Sequence, residues 1–564
     1  MENFKEQIAV ILEGPTGLDR EEIKLLLEVP PSPDMGDYAF PCFRLARTFK
    51  KGPAEIAAKL AGELGESPLL ARVSNAGPYL NFVLKRSVLA EDILSRIREG
   101  KQVYGSSSRG GGRAVVIDFS SPNIAKPFGV GHLRSTVIGH SLHRIYTFLG
   151  YKAVGINHLG DWGTQFGKTI TAYKKWGSEA QLKRDPIGHL LQLYVRFHDE
   201  EEKDPQLEEE GRYWFRQLEE GNREALDLWQ TFRDLSLREF QRIYRLLGIE
   251  FDSYQGESFY NERLAGTIAE IVNKGITRES QGALIVDLGE DMPPCLLRKK
   301  DGATLYVTRD ISAALYRFEH YRFAKALYVV GADQVLYFKQ FFKVLKLMGL
   351  KWADRCQHVP FGLVRFKDGR MSTRKGKVIL LEEVLNKAVQ LSREIIAEKN
   401  PSLEDQETVA RQVGIGAIIF GDLSNDRIKD VEFDWEKILD FSGETGPYIQ
   451  YSHARICSIL RKEAPSAKAP VMGEAYTAKE EEALLLQLGR FPAAVERAAD
   501  LNKPSVIARY LIDLARDFNQ FYHHCPVLKA EGDLKQARLL LADATREVLA
   551  RGLYLLGIEA PEKM

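Results

Sequence analysis

Hydrophobic positions recur at helical spacing from Glu21 to Leu27 and from Pro53 to Leu64, and AGPYLNFVL (76–84) then reads as a strand. Together they predict a small α+β unit over residues 1–105. The stretch YGSSSRGGGR (104–113) offers too little apolar side chain to pack and marks a boundary. From Ala114 the pattern changes. Short apolar runs, AVVIDFSS and KALYVVGAD, alternate with amphipathic helical stretches, which is the pattern of a doubly wound, Rossmann-like parallel sheet. In such a sheet, ligands sit beyond the C-terminal ends of the strands. This α/β catalytic domain is expected over 114–380. It is interrupted near 168–250 by a charged, helix-favouring stretch (HDEEEKDPQLEEEGRYWFRQLEE) that is too polar for a core and is expected on the surface. Residues 381–440 read as a connecting helical segment. Over 441–564 strand signals vanish and long helical periodicities take over, broken only by a Pro/Ala/Lys/Gly-rich stretch near Ala464 to Ala475, so the chain closes with an all-helical domain.

The 564-residue length exceeds one ordinary domain, and 44% hydrophobic with 28% charged residues is a globular composition. No apolar run approaches the roughly 20 residues a membrane span needs. The N-terminal MENFKEQIAVILEG has neither a signal peptide's basic start and apolar core nor a transit peptide's Arg/Ser bias, so a cytoplasmic protein is expected. Cys42, Cys295, Cys356, Cys457 and Cys525 form no CxxC pair; they read as reduced core thiols, and no bound zinc or other metal is expected. The adjacent His523 and His524 lack the second ligand cluster a tetrahedral ion requires. Lys plus Arg equals Asp plus Glu at 78 each, so no global positive field announces nucleic acid, although cations gathered on one face still could grip it.

Two segments carry candidate chemistry. VVIDFSSPNIAKPFGVGHLRSTVIGHSL runs from an apolar strand through a glycine turn, Gly129 and Gly131, into a helix opening with His132 and Arg134. Free amides at a helix N-terminus and close backbone approach at glycine suit a phosphate; an ordinary strand-to-helix connection would look similar. Downstream, RFKDGRMSTRKGKVILL sets Arg370, Arg374 and Lys375 beside Met371, Ser372, Thr373 and Gly376. This is either a solvated basic turn or a cationic loop that closes on a triphosphate.

Read together and in this order, the first string closely resembles the "HIGH" signature of class I aminoacyl-tRNA synthetases in its arginyl form, and the second resembles their "KMSKS" signature. Further blocks resemble the arginyl-tRNA synthetase family along nearly the whole chain. The resemblance implies that ATP, carried with Mg2+, is held by Pro127, Gly129, Gly131, His132, Met371 and Ser372. Lys126, His132, Arg370, Ser372, Arg374 and Lys375 would then stabilise charge during attack of the arginine carboxylate on the α-phosphate. An arginyl adenylate results, and transfer goes to the 2′-hydroxyl of the terminal adenosine of tRNA. Positioning and charge stabilisation dominate such a step, so no catalytic triad is expected. The family's usual first histidine is replaced by Gly129, and Lys126 is the candidate to compensate.

A guanidinium demands planar carboxylate partners, which a lysine could not fully satisfy. By family position, Tyr306 and Asp310 in DGATLYVTRDISAALYR match the residues that hold it, and Glu257 in YQGESFY is a second acid. Asp118 and Asn123 match residues near the substrate's amino and carboxylate groups, and Gln334 matches a further arginine contact. Singly, each residue has an ordinary reading: a helix cap for Asp310, a turn for Gln334, half-buried core for Tyr306. NHLGDWGTQFGK resembles a family block and is read as scaffold. Asn81 and Phe82 in the N-terminal domain, with Tyr554 and the terminal Met564, are the candidate tRNA contacts. The expected partners are therefore L-arginine, ATP and its tRNA, with the chain acting as a monomer and no membrane involved. A class I synthetase for another amino acid and a non-catalytic tRNA-binding paralogue are the rival readings.

Overall fold

The structure is a computed structural model that describes residues 2–32, 35–64, 67–300, 304–366, 379–466 and 471–564. Arg370, Met371, Ser372, Arg374 and Lys375 of the second signature lie outside the described residues.

The chain forms two compact units, and neither is a single run of sequence. The first comprises residues 1–105, 452–493 and 513–549. Its N-terminal part carries an antiparallel sheet of β1 (Tyr38–Pro41), β2 (Leu70–Ala76) and β3 (Tyr79–Leu84) in the order β1-β3-β2, flanked by helices such as Pro53–Glu63 and Arg86–Gly100. The Lys479–Gly489 helix, distant in sequence, is fastened to it: Arg86 bridges Asp37 and Glu482, and the Tyr104 hydroxyl donates to the Leu488 carbonyl.

The second unit comprises 106–451, 494–512 and 550–564. Its centre is a parallel sheet of β4 (Ala114–Asp118), β5 (Lys152–Ile156), β6 (Lys325–Tyr328) and β7 (Cys356–His358), in the order β7-β6-β4-β5. Val115, Val116 and Ile117 are fully buried, as expected for an apolar run with helices on both faces. The chain leaves β4 toward β5 on one side and returns to β6 on the other. The crevice at the C-terminal ends of β4 and β6 is thus a topological switch point, where open α/β sheets bind ligands. The Leu133–Phe148 helix that follows β4 lies tight against the sheet because Gly139 has no side chain; a Cβ there would stand 2.2 Å from Phe119.

Five helices, from Thr164–Trp176 to Arg223–Leu247, make the charged insertion, with a small apolar nucleus of Ala172, Leu193, Phe197 and Leu207. The expectation that this region is a surface excursion needs correction for its last helix. Phe232, Ser236, Phe240, Ile243, Tyr244 and Leu247 form a buried stripe on Arg223–Leu247, one face of an otherwise charged helix. The Leu381–Lys399 and Gln406–Leu423 helices follow, and the C-terminal third, from Gly446–Lys462 to Gly532–Leu555, is helical.

Candidate active site

Beyond the ends of β4 and β6 lies a cavity of about 510 Å3, within the usual range for small-molecule sites. Asp118, Asn123, Glu257, Tyr306, Asp310 and Gln334 all line it, with Gly131 and His132 of the first signature. Residues from five separated stretches of sequence converge there. A larger, open depression of about 690 Å3 on the insertion, around Tyr173, Arg223 and Asp227, has no such convergence of acids with a glycine turn.

The acidic wall is built locally. Tyr306 and Asp310 are one turn apart on the Tyr306–Tyr321 helix, so both face the same way. Tyr306 is 56% exposed. Asp310 accepts a short hydrogen bond from the Tyr337 hydroxyl, and its other oxygen is 3.6 Å from Nε2 of His158, an ion-pair distance rather than a hydrogen bond. Glu257 opens a 3-10 turn that the buried Asp161 anchors: the Asp161 carboxylate accepts from the Ser258 amide and hydroxyl and pairs with Arg233. Gly256 belongs to this arrangement, since a Cβ there would stand 2.5 Å from Asp161. Oε2 of Glu257 is enclosed and has no hydrogen-bond partner among the described residues, and burial pushes the Glu257 carboxyl up to about 7. At His158 burial opposes the charged imidazole, but Asp310 and Asp118 outweigh it and its pKa stands above the ordinary value.

Asp118 is committed elsewhere: one carboxylate oxygen is 2.8 Å from the buried Arg317 and the other accepts from the Ser121 hydroxyl. Arg317 in turn sits over the Tyr328 ring. The loop after β4 is strained, with Ser120, Ser121 and Ala125 at φ 69°, 47° and 59°. Such conformations persist only where the surroundings hold them. Here the Ser120 amide donates to Ser135, the Ser120 and Tyr244 hydroxyls are bonded, and the Ala125 amide donates to Ser236. Two of these supports come from the last helix of the insertion, which gives its buried stripe a purpose. Asn123 meets Gly160 in a bridge so close that a Cβ on Gly160 would overlap the Asn123 amide.

The first signature turn is joined to both flanks of the second. The amide of Val130 donates to the Ile379 carbonyl, and the amide of Leu381 donates to Phe128. On the other flank, Phe361 to Arg365 share a cavity of about 190 Å3 with Gly131 and Arg134. Arg134 is the clamp: it ion-pairs with the buried Asp422 at 2.7 Å and donates to the carbonyls of Gly362 and Lys429, both at 2.8 Å. Strand Val364–Phe366, which leads into the second signature, pairs with Val431–Phe433 next to this clamp. The Ile379 carbonyl is thereby held at the first signature turn, and the strand that ends at 366 is held by Val431–Phe433. His132 lies against Phe128, and burial lowers its pKa, so the imidazole is neutral at pH 7. Lys126, Pro127 and Gly129 are not on the cavity wall. Gly129 is held in a bridge to Leu380, and the Lys126 ammonium rests over the Tyr194 ring at 5.3 Å, where burial lowers its pKa.

Residues 94–435 match the family model described as tRNA synthetases class I (R), catalytic domain. Residues 2–84 match the arginyl tRNA synthetase N terminal domain and 449–564 the DALR anticodon binding domain. The chain is 49% identical over 566 residues to an arginine–tRNA ligase of Alkaliphilus metalliredigens and 51% identical over 568 residues to arginine–tRNA ligase 1 of Bacillus cereus, covering 100% of each chain. The chain belongs to the arginyl-tRNA synthetase family. Among solved structures, the arginyl-tRNA synthetase of Thermus thermophilus superposes with a TM-score of 0.82 at 27% identity, covering 100% of both chains.

For an arginyl-tRNA synthetase, two of the expected tRNA contacts need correction. Phe82 is fully buried and Asn81 is 4% exposed, because β3 is the central strand of its sheet and is covered on both faces. Neither can receive an unstacked base. The exposed aromatic of this region is Phe43, 54% exposed and packed edge-on against Tyr79 at 5.8 Å. Tyr554 is 45% exposed, with the guanidinium groups of Arg144 and Arg551 at 4.4 and 4.9 Å from its ring centre. Met564 accepts a hydrogen bond from Asn400 and lines a cavity of about 370 Å3 with Lys399, Phe441 and Tyr451. The sequence reading also passed over His158 and Tyr337. His158 stands in the block read as scaffold, and the available signal was its place directly after the apolar run of β5, at the ligand end of the sheet.

Proposed function

We propose that this enzyme joins L-arginine to its tRNA at the expense of ATP, through an arginyl adenylate formed in the cavity beyond the ends of β4 and β6 and transfer to the terminal 2′-hydroxyl of the tRNA. The observation that carries this reading is one cavity lined both by an acidic wall of Glu257, Asp310 and Tyr306 and by Gly131 and His132 of the first signature. A guanidinium fits the acidic wall, because two carboxylates and a phenol offer planar acceptors to its fork of donors. Lysine would leave acceptors unmet and be rejected without proofreading. With the cation anchored there and Gln334 beside it, the substrate carboxylate reaches toward Gly131, where amides at the start of the Leu133–Phe148 helix favour a phosphate.

Asp118 contributes by holding Arg317 and Ser121, and so the shape of the loop, while Asn123 stays free to meet the substrate's amino or carboxylate group. ATP enters as its Mg2+ complex. The neutral His132 donates to it, and Lys126, moving off Tyr194, supplies the cation that Gly129 cannot. Arg370, Ser372, Arg374 and Lys375 complete the neutralisation of the pyrophosphate, next to Met371. Residues 441–564 read the anticodon through Tyr554 and Met564, and residues 1–105 meet the tRNA elbow through the exposed Phe43, packed on Tyr79, rather than Phe82. The cavity is complete within one chain, which suits a monomer, and the substrates suit a cytoplasmic setting.

The test is ATP–pyrophosphate exchange and tRNA charging with each amino acid in turn. Arginine alone supports both, and exchange appears only after cognate tRNA is added. Robust exchange without tRNA, or charging with lysine or glutamine, contradicts the proposal. Binding of tRNA without any charging would mark a non-catalytic paralogue.

A further inference from the structure

The empty guanidinium pocket has too many acids to stand fully ionised. Glu257 and Asp310 face one cavity, and the groups around them are fixed: His158 from the loop after β5, Arg309 beside Asp310 on its helix, Tyr337 from the Val335–Leu347 helix, and Asp161 behind the Glu257 turn. Most of these are already paired. Asp161 is taken by Arg233 and Ser258, Asp118 by Arg317, and one oxygen of Asp310 by Tyr337. Asp310 retains His158 at 3.6 Å. Glu257 has nothing comparable: its Oε2 is enclosed and unpartnered among the described residues. A carboxylate oxygen enclosed without a partner is disfavoured in its charged form, and such groups ordinarily take up a proton instead.

We propose that arginine enters this pocket in exchange for a proton: Glu257 is a neutral carboxylic acid in the empty site and ionises as the guanidinium arrives between it and Asp310. The balance is simple. The arginine cation and protonated enzyme give the complex and one free proton; no covalent bond to carbon changes. His158 is a positioning residue in this scheme. It holds Asp310 in the ligand-free state, and in its protonated form it pulls the Glu257 carboxyl down, so that the Glu257 proton is more readily displaced. Burial is the main reason the Glu257 carboxyl stands near 7; Asp310 and Asp161 push the same way, while His158 and Arg309 pull it down. This rests on the assignment of the guanidinium to Glu257 and Asp310 made above.

The sign of the linkage follows. Arginine binds the ionised form of Glu257, so affinity rises with pH through about 7 and levels off above it. Below that point it falls by about tenfold per pH unit.

The experiment is calorimetric titration of the full chain with L-arginine from pH 5.5 to 8.5, repeated at pH 6 in phosphate and in bis-Tris, whose protonation enthalpies differ. The expected result is a heat that differs between the two buffers by about one proton's worth, with the affinity profile just given. Glu257→Gln weakens arginine binding and removes the pH dependence. His158→Gln keeps the dependence and moves its midpoint upward, which a purely structural histidine would not do. Equal heats in the two buffers with a flat profile overturn the exchange while leaving the arginine pocket in place. A full slope surviving in Glu257→Gln also overturns it, because the proton then belongs to another group. Absence of arginine heat at every pH removes the pocket assignment itself, and the exchange with it.

Discussion

Asp310→Ala raises the KM for arginine by roughly thirtyfold to a thousandfold and leaves the KM for ATP within a few-fold of its starting value. The magnitude comes from the cost of stripping a buried cation of its carboxylate, about 3 to 5 kcal/mol when both groups are fully enclosed. Asp310 keeps 28% of its side chain exposed, so we discount this to about 2 to 4 kcal/mol, with tenfold for every 1.4 kcal/mol. The effect is confined to arginine because Asp310 belongs to the acidic lining on the helix of Tyr306 and not to the first signature turn that carries Gly131 and His132. Two groups also lose their partner in this variant, the Tyr337 hydroxyl and His158, so Asp310→Asn, which keeps an acceptor for Tyr337, isolates the charge. Steady-state charging with each substrate varied in turn measures the split. An equal rise in both KM values removes Asp310 from the guanidinium pocket.

Arg134→Met is the substitution with the largest effect on the folded state. It leaves the carboxylate of Asp422, whose side chain is 4% exposed, without its counter-ion, a loss of about 3 to 5 kcal/mol and a fall in Tm on the order of 5 to 10 °C. Burial already holds the Asp422 carboxyl near 6 against the pull of Arg134. Acid therefore relieves the variant: a protonated carboxyl needs no counter-ion, and the deficit relative to the parent shrinks as pH falls. Adding Asp422→Leu recovers much of the stability, since an apolar pair of similar volume replaces a buried ion pair at little cost. It does not recover function. Arg134 also holds the carbonyls of Gly362 and Lys429, which fix the strand entering the second signature. The double variant melts near the parent and still shows a raised KM for ATP. Thermal melts across pH, paired with ATP kinetics, separate the two roles; full recovery of both would show that the clamp matters only for stability.

How much of this was legible in the sequence follows from what each signal measures. The apolar runs of β4 and β6 announce buried parallel strands because both of their faces are covered, and the ligand end of such strands follows from topology. The six pocket residues were named from family position, and the fold brings them to one cavity from segments up to 216 residues apart, Asp118 to Gln334. Phe82 shows the opposite case. Its strand looks like an edge when read alone, and only pairing with β1 and β2 on both sides reveals that it is central. Asp118 was named from family position beside the first signature; the structure adds its ion-pair partner Arg317, which is distant in sequence and invisible to local pattern. The two compact units are also built from interleaved pieces of the C-terminal third, which no boundary drawn along the chain could express. The last helix of the insertion reads as charged because most of its faces are. The buried stripe that holds Ser120 and Ala125 amounts to a handful of positions.

The most direct measurement is a crystal structure of the enzyme grown with L-arginine. The guanidinium should lie between the carboxylates of Glu257 and Asp310 with the phenol of Tyr306 in reach, and the carboxylate of the amino acid should point toward Gly131. Arginine bound with its guanidinium outside that cavity, or with Asp310 still facing only Tyr337 and His158, would contradict the account.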